Sequence, residues 1–322
     1  MTVTFAEPLK IYVLYGSQTG NSEQAAQDIA SQLPSQVNAL LQQQSSKSKV
    51  SITTECLQLD DFLELHHGQW TPFVIIVTSS YGVGQAPLGC YRFRDLCDYF
   101  LQQTTPSKND PTTRHLLDGV SYALCGLGDS KYTTFFKNPT IIDKALTSVG
   151  AKRIAILGKA DASGKQHEPL TNAVKRQQLD DGTIPQSAVI QAWMEQLWPA
   201  LATAIDKYCQ QKQDQQPEDV QKTTFRFKHM QLETIRVCTN INPDYQPPKW
   251  YVRQLKQQQK KSSILVPIIM TIWIVVMIFV YHYIYTYSFN ASAGARKQMT
   301  TGMMGEEEVP ETTGQEDVQT EL

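Results

Sequence analysis

The chain is poor in cysteine and has no arrangement that would use its cysteines together. Cys56, Cys90, Cys97, Cys125, Cys209 and Cys238 lie without a Cys-x-x-Cys pair or a His-Cys metal spacing. That argues against a disulfide frame or a zinc site, and the thiols are expected to be reduced, mostly as small buried hydrophobes. Charge of one sign is also missing. A formal net charge of -2 at pH 7 leaves no basic footprint for nucleic acid. No apolar stretch with a cleavage site follows Met1, so a secretory leader is not expected, and no internal repeat is visible. A local absence is more informative: residues 264–289 (ILVPIIMTIWIVVMIFVYHYIYTYSF) contain no Asp, Glu, Lys or Arg.

At about 1.5 Å rise per helical residue, about 20 apolar residues cross a hydrocarbon layer of ~30 Å, so this run is long enough to span. Tyr281, Tyr283, Tyr285 and Tyr287 crowd its distal end, where amphipathic rings favour the headgroup layer, with His282 among them. Before it, residues 209–261 carry ten Lys or Arg against five acids. After it, Arg296 and Lys297 face seven acids. The positive-inside rule then places residues 1–261 in the cytosol and the acidic 290–322 tail across the membrane. The expectation is a single-pass protein of the endoplasmic reticulum. Its basic, Gln-rich linker over 209–263 is suited to meeting anionic lipid headgroups. Asn290-Ala291-Ser292 reads as a glycosylation acceptor too close to the bilayer to be modified.

The preceding 1–208 segment has the length of one domain, in which short apolar runs alternate with helical patterns. Strands are expected over Lys10–Tyr15, Val50–Glu55, Phe73–Thr78, Val120–Gly126 and Arg153–Gly158. Helices are expected over Ser22–Leu33, Gly89–Gln102, Pro139–Val149 and Ile190–Tyr208. The Gln-rich Ser35–Lys49 stretch and Ala162–Gln186 read as loops. Such alternation predicts an α/β fold with a parallel sheet covered on both faces.

In such sheets ligands bind beyond the C-terminal strand ends, which directs attention to three loops. The first, Gly16-Ser17-Gln18-Thr19-Gly20-Asn21-Ser22, runs into a helix and offers the hydroxyls and free amides that a terminal phosphate needs. It lacks both a lysine and the glycine spacing of a Walker-type or dinucleotide loop. The second, Ser79-Ser80-Tyr81-Gly82-Val83-Gly84-Gln85-Ala86-Pro87, and the third, Gly126-Leu127-Gly128-Asp129-Ser130-Lys131-Tyr132, each combine a tyrosine with glycines. Two aromatic rings from two loops can sandwich a flat heterocycle, while glycines let the backbone approach its edge.

The segments YGSQTGNS, SSYGVGQAP and GLGDSKYTTFF, followed by IIDKALTSVGAKRIAILGKAD and MEQLWPAL, resemble in order and spacing the flavodoxin-like FMN domain of diflavin reductases. Methionine synthase reductase and NADPH-haemoprotein reductase are of that type. The resemblance covers about residues 9–207. It implies a five-stranded parallel sheet of order 2-1-3-4-5 and a non-covalent FMN, with the phosphate held by Ser17, Gln18, Thr19, Gly20, Asn21 and Ser22 and the ring flanked by Tyr81 and Tyr132. It also implies a backbone strip of Gly126, Leu127, Gly128 and Asp129 along the ring edge and further cofactor contacts from Ser80, Gly84, Phe135 and Asp161. Gly82 matches a position whose carbonyl can turn toward the reduced flavin. No catalytic acid, base or nucleophile and no metal ligand is implied.

Two departures bear on partners. The positions where relatives that feed basic haem proteins carry acids read Val83-Gly84-Gln85 and Asp161-Ala162-Ser163, so an acidic docking face is weakened. No length remains after residue 208 for an FAD and NADPH module. The expectation is therefore a membrane-anchored FMN protein relaying single electrons from a reductase to a membrane-associated acceptor such as a haemoprotein. The alternatives are a flavodoxin-like NAD(P)H quinone reductase and a flavin-free scaffold.

Overall fold

Alternating side chains on adjacent strands point to opposite faces of a sheet, so a central parallel strand flanked by helices is apolar along its whole length. Phe73–Ser79 and Ser121–Gly128 have this character, and in the computed structural model they are the central strands β3 and β4, each buried over six consecutive residues. The structure describes residues 8–43, 50–64, 70–105, 111–165, 167, 183–213, 230, 232–241, 246–247, 249, 251–253, 255–257 and 270–284. The remaining elements of the first unit, residues 1–252, follow in chain order. They are β1 (Leu9–Gly16), α1 (Asn21–Gln43), β2 (Ile52–Gln58), α2 (Leu59–Glu64), α3 (Tyr91–Gln103), α4 (Pro111–Arg114), α5 (Lys137–Ser148), β5 (Lys152–Arg153), β6 (Gly158–Asp161) and α6 (Gln186–Gln213). The sheet is parallel in the order β2-β1-β3-β4-β5, as the resemblance implies.

The fifth position departs from expectation. Arg153–Gly158 is not one strand: β5 and β6 both pair with β4, through Tyr122↔Arg153 and Cys125↔Gly158, and the chain leaves the ladder between them. One bond bridges the gap, from Ile154 N–H to the Tyr122 carbonyl at 2.9 Å. Helix α1 also corrects the sequence reading. It continues through Pro34 and the Gln-rich stretch to Gln43 because Ile29, Leu33, Val37 and Leu41 form an unbroken i+4 stripe, all buried against the sheet. Glutamine is a good helix former, and that burial outweighs the bond lost at the proline.

Two apolar layers result. Ile11, Val13, Ile75, Val77 and Ala123 meet α1 and α6 on one face. Tyr12, Leu14, Val74, Ile76, Tyr122 and Leu124 meet α2, α3 and α5 on the other. This second layer has a cover that the sequence reading places in a linker. Residues 232–241 are helical, and Met230, Ile235, Val237, Cys238 and Tyr251 are buried in the same cluster as Phe62, Trp70, Phe93, Leu96 and Phe100. The Trp70 indole N–H donates to the buried Thr234 hydroxyl at 3.1 Å, and that hydroxyl donates to the Met230 carbonyl at 2.8 Å. The boundary expected at residue 208 is thus displaced: α6 runs to Gln213 and the folded unit includes apolar groups as far as Tyr251. The stretch is polar enough on average to resemble a tether, yet Met230, Ile235, Val237, Cys238 and Tyr251 are buried.

In the second unit, residues 253–322, 270–284 are helical with every residue exposed. No helix among the described residues is long and apolar enough to cross a membrane. Residues 264–269 and 285–289 of the expected span, the Asn290 acceptor and the acidic tail lie outside the described residues. None of the six cysteines is in a disulfide, five of them are buried, and burial pushes the Cys90 and Cys238 thiols up to about 12. Among the described residues no group of side chains could hold a metal ion.

The cover is expected to hold the domain together. Ile235→Ala should cost about 2 to 5 kcal/mol through the cavity it leaves. Thr234→Val should cost about 1 to 3 kcal/mol by stranding the buried Trp70 donor. Urea unfolding of both variants measures this, and wild-type midpoints in both would show that 230–251 is dispensable.

Candidate functional site

The loops after β1, β3 and β4 converge on one cleft of about 440 Å³ at the C-terminal ends of the strands. Twelve of the expected residues line it: Gln18, Thr19, Asn21 and Ser22 from the first loop, Ser80, Tyr81 and Gly82 from the second, and Leu127, Gly128, Asp129, Tyr132 and Phe135 from the third. Ser79, Thr134, Ala162 and Gln186 line it as well, and the sequence reading did not select them.

At the first loop, the Ser17 hydroxyl accepts from Gly20 N–H at 3.0 Å, and the Gly20 carbonyl begins α1 by accepting from Gln24 N–H at 2.9 Å. Ser17 and Gly20, both expected at the phosphate, shape this turn and are not among the residues that line the cleft. Gly20 sits at φ +91°, where an L side chain would be strained. The turn leaves the start of α1 facing the cleft. Ser22 is 2% exposed, and among the described residues no protein group bonds its hydroxyl. A buried, unsatisfied hydroxyl at a helix N-terminus is costly unless a ligand completes it, and the helix dipole favours an anion there.

The second loop is a closed turn in which Tyr81 N–H donates to the Gln85 carbonyl at 3.0 Å and Gln85 N–H returns to the Tyr81 carbonyl at 2.8 Å. Gly84 is buried under the Lys137 side chain and does not reach the cleft. Asn138 fastens this loop to α5: its backbone N–H donates to the Ser80 hydroxyl at 3.0 Å and its side-chain amide to the Ser79 carbonyl at 3.0 Å.

At the third loop, glycine has a reason that the sequence reading missed. A Cβ on Gly128 would lie 2.8 Å from the Phe135 ring, and one on Gly126 would collide with Phe136. Gly126 thus makes room for the Phe136 ring behind the cleft and is not part of its lining. The pair is set by Phe136, a non-glycine residue at φ 65°, which turns Phe135 into the cleft while its own ring packs inward.

Asp161 is also displaced from its expected role. It is 1% exposed and lies behind the lining, where its carboxylate accepts from Ser130 N–H and Ser163 N–H, both at 2.9 Å, and contacts the His167 ring nitrogen at 2.7 Å. Burial raises its pKa, but the hydrogen bonds from Ser130, His167 and Ser163 outweigh burial and hold the carboxyl well below its ordinary range. A carboxyl with a depressed folded value stabilises above its unfolded pKa, so the loop anchor is present at neutral pH and is lost only in strong acid. His167 in turn stacks on Phe135 with ring centroids 5.0 Å apart. The Gln186 amide donates to the Ala160 carbonyl at 2.9 Å and the Gly128 carbonyl at 3.3 Å, closing the floor.

Two rings remain without apolar cover. Tyr81 is 49% and Tyr132 65% exposed, on loops facing the same cleft. An anion-seeking helix start below two uncovered aromatic groups fits a flat ring carrying a phosphate. The flavodoxin family profile matches residues 13–173, half of the chain. The chain belongs to the flavodoxin family. It is 31% identical over 166 residues to a bifunctional cytochrome P450/NADPH--P450 reductase of Bacillus cereus, covering 51% of this chain and 13% of that protein. Identity to methionine synthase reductase of Caenorhabditis elegans is 28%, over 46% of this chain and 18% of that protein. For human NADPH--cytochrome P450 reductase it is 26%, over 62% of this chain and 24% of that protein. The chain thus spans less than a quarter of the length of each. Oxidised flavodoxin 1 from Bacillus cereus aligns at 17% identity and a TM-score of 0.34, over 58% of this chain and 97% of that one. The cofactor of the cleft is FMN, and the domain is an electron-transfer domain related to the FMN domains of reductases.

Tyr81→Ala and Tyr132→Ala should each weaken FMN binding, because aromatic stacking contributes about 0.5 to 1.5 kcal/mol beyond area, roughly two- to twelvefold in affinity. Fluorescence titration checks this. Unchanged dissociation constants in both variants would move the ring elsewhere.

Proposed function

We propose that the chain is a membrane-anchored flavoprotein relaying single electrons from a reductase to a membrane-associated acceptor such as a haemoprotein. The observation that carries this reading is the cleft itself, which pairs an unsatisfied anion seat at α1 with two exposed tyrosines at its mouth. Bound FMN supplies the chemistry, since it exchanges electrons singly or in pairs. The protein's part is binding and exposure. Ser22, Thr19 and Asn21 hold the phosphate with neutral donors and the helix dipole. Tyr81 and Tyr132 flank the ring, and the 127–129 backbone runs along its edge. Nothing in this division of labour needs a side chain to donate or abstract a proton, and none is nominated.

The reductase and haemoprotein partners are supported by the relatives, whose names describe P450 and methionine synthase reductases. The anchor is supported by the uncharged 264–289 run and its basic flank, and by the exposure of every side chain on the described 270–284 helix. Exposed apolar area of that kind favours hydrocarbon. With the basic flank retained on the cytosolic side, the flavin domain faces the cytosol of the endoplasmic reticulum, and tethering raises its encounter rate with an acceptor in the same membrane.

Sealed microsomes carrying the full chain with a tag after Leu322 test the proposal. Added protease should remove the flavin domain and spare the tag, and the flavin should be reduced by NADPH only when a separate reductase is present. A digested tag with a protected domain would reverse the orientation, and rapid reduction by NADPH alone would favour the quinone reductase reading.

A further inference from the structure

The turn 81–85 is tied within itself and also to the loop that carries Tyr132. Tyr81 and Gln85 exchange backbone bonds, and Gly84 N–H donates to the Tyr81 carbonyl at 3.0 Å, but the Gly82 carbonyl takes its donor from the other ring loop. The Thr134 hydroxyl reaches it at 3.0 Å. Both residues line the cleft, and Gly82 stands at φ +52°, a conformation that side-chain-bearing residues rarely adopt.

We propose that Thr134 is a positioning residue that lowers the reduction potential of the bound flavin by occupying the Gly82 carbonyl. The inference rests on the FMN reading of the cleft. Reduction of an isoalloxazine, with electrons from a reductase and protons from solvent, converts ring nitrogens from acceptors into N–H donors. The Gly82 carbonyl is turned to the Thr134 hydroxyl, and swinging it round to face such a donor gives up that bond as the new one forms. A carbonyl without that partner accepts at no such cost. The hydroxyl therefore biases the site toward the oxidised ring. It bonds nothing else among the described residues, and the tie from Lys137 N–H to the Thr134 carbonyl at 3.2 Å belongs to the backbone, so Thr134→Val removes one donor while keeping the shape.

The test uses the full chain, with Thr134→Val compared to Thr134→Ser. In redox titration, Thr134→Val should move the first one-electron midpoint positive by three- to tenfold in the equilibrium, about 28 to 59 mV at ~59 mV per tenfold. Thr134→Ser, which keeps the hydroxyl, should stay within twofold of wild type. In the flavin-free protein, Thr134→Val should unfold at the wild-type temperature while its 82–85 amides exchange hydrogen faster. A Thr134→Val midpoint within twofold of wild type would overturn the proposal, as would equal shifts in both variants. A wild-type chain that takes up no FMN would overturn the reading of the cleft first, and is distinguished by absent flavin absorbance before any potential is measured.

Discussion

Asn138 has no exposed surface, so each of its polar groups must find a partner inside the protein, and those partners fix the geometry of the cleft. Its amide nitrogen donates to the Thr78 hydroxyl at 3.3 Å and the Ser79 carbonyl at 3.0 Å, while its amide oxygen accepts from Arg94 at 3.0 Å. Arg94 is itself held by Asp98 on the next turn of α3. The end of β3, the first turn of α5 and helix α3 are thereby locked through a single side chain. A buried network of this kind specifies position strongly because a half-satisfied version is costly. The tyrosine turn at 81–85 hangs from Ser80, which Asn138 also binds.

The third loop is held by a second buried group, Asp161, and shaped by a local strain. Phe136 in the left-handed region costs about 1 to 3 kcal/mol. Burial of its ring over Gly126, with the Lys159 ammonium 5.7 Å from the ring centroid, offsets that cost. The consequence is an edge on which Phe135 faces the cleft beside Leu127, Gly128 and Asp129. The phosphate end uses no positive side chain from the first loop. Neutral donors and a helix dipole suffice for an anion when they are aimed at it in advance.

Most of the sheet was legible because its signals are local. Five apolar strand regions separated by helical patterns implied a parallel sheet, the family resemblance supplied its order, and twelve cleft residues could be named because they cluster just beyond β1, β3 and β4. What was missed depends on distance along the chain. Thr234 becomes structural only because Trp70, 164 positions away, needs an acceptor. Ala162 and Thr134 reach the cleft from loops whose sequence carries no periodic signal, and Gln186 reaches it from the first position of α6. Asp161 and Gly126, expected beside the ligand, lie outside the cleft lining, where one holds backbone amides and the other yields space to a ring. The helix expected to end at Leu33 runs on past Pro34 because the buried 29-33-37-41 stripe continues through the Gln-rich stretch.

The central claim is that this cleft holds FMN at the start of α1 between Tyr81 and Tyr132, and a fluorescence titration of the purified full chain tests it most directly. The account predicts one FMN bound per chain, with flavin emission quenched by the stacked rings, no comparable uptake of FAD, and weaker binding when a bulky acid replaces Thr19. A folded chain that leaves FMN emission unchanged, or that binds FAD equally well, would contradict it.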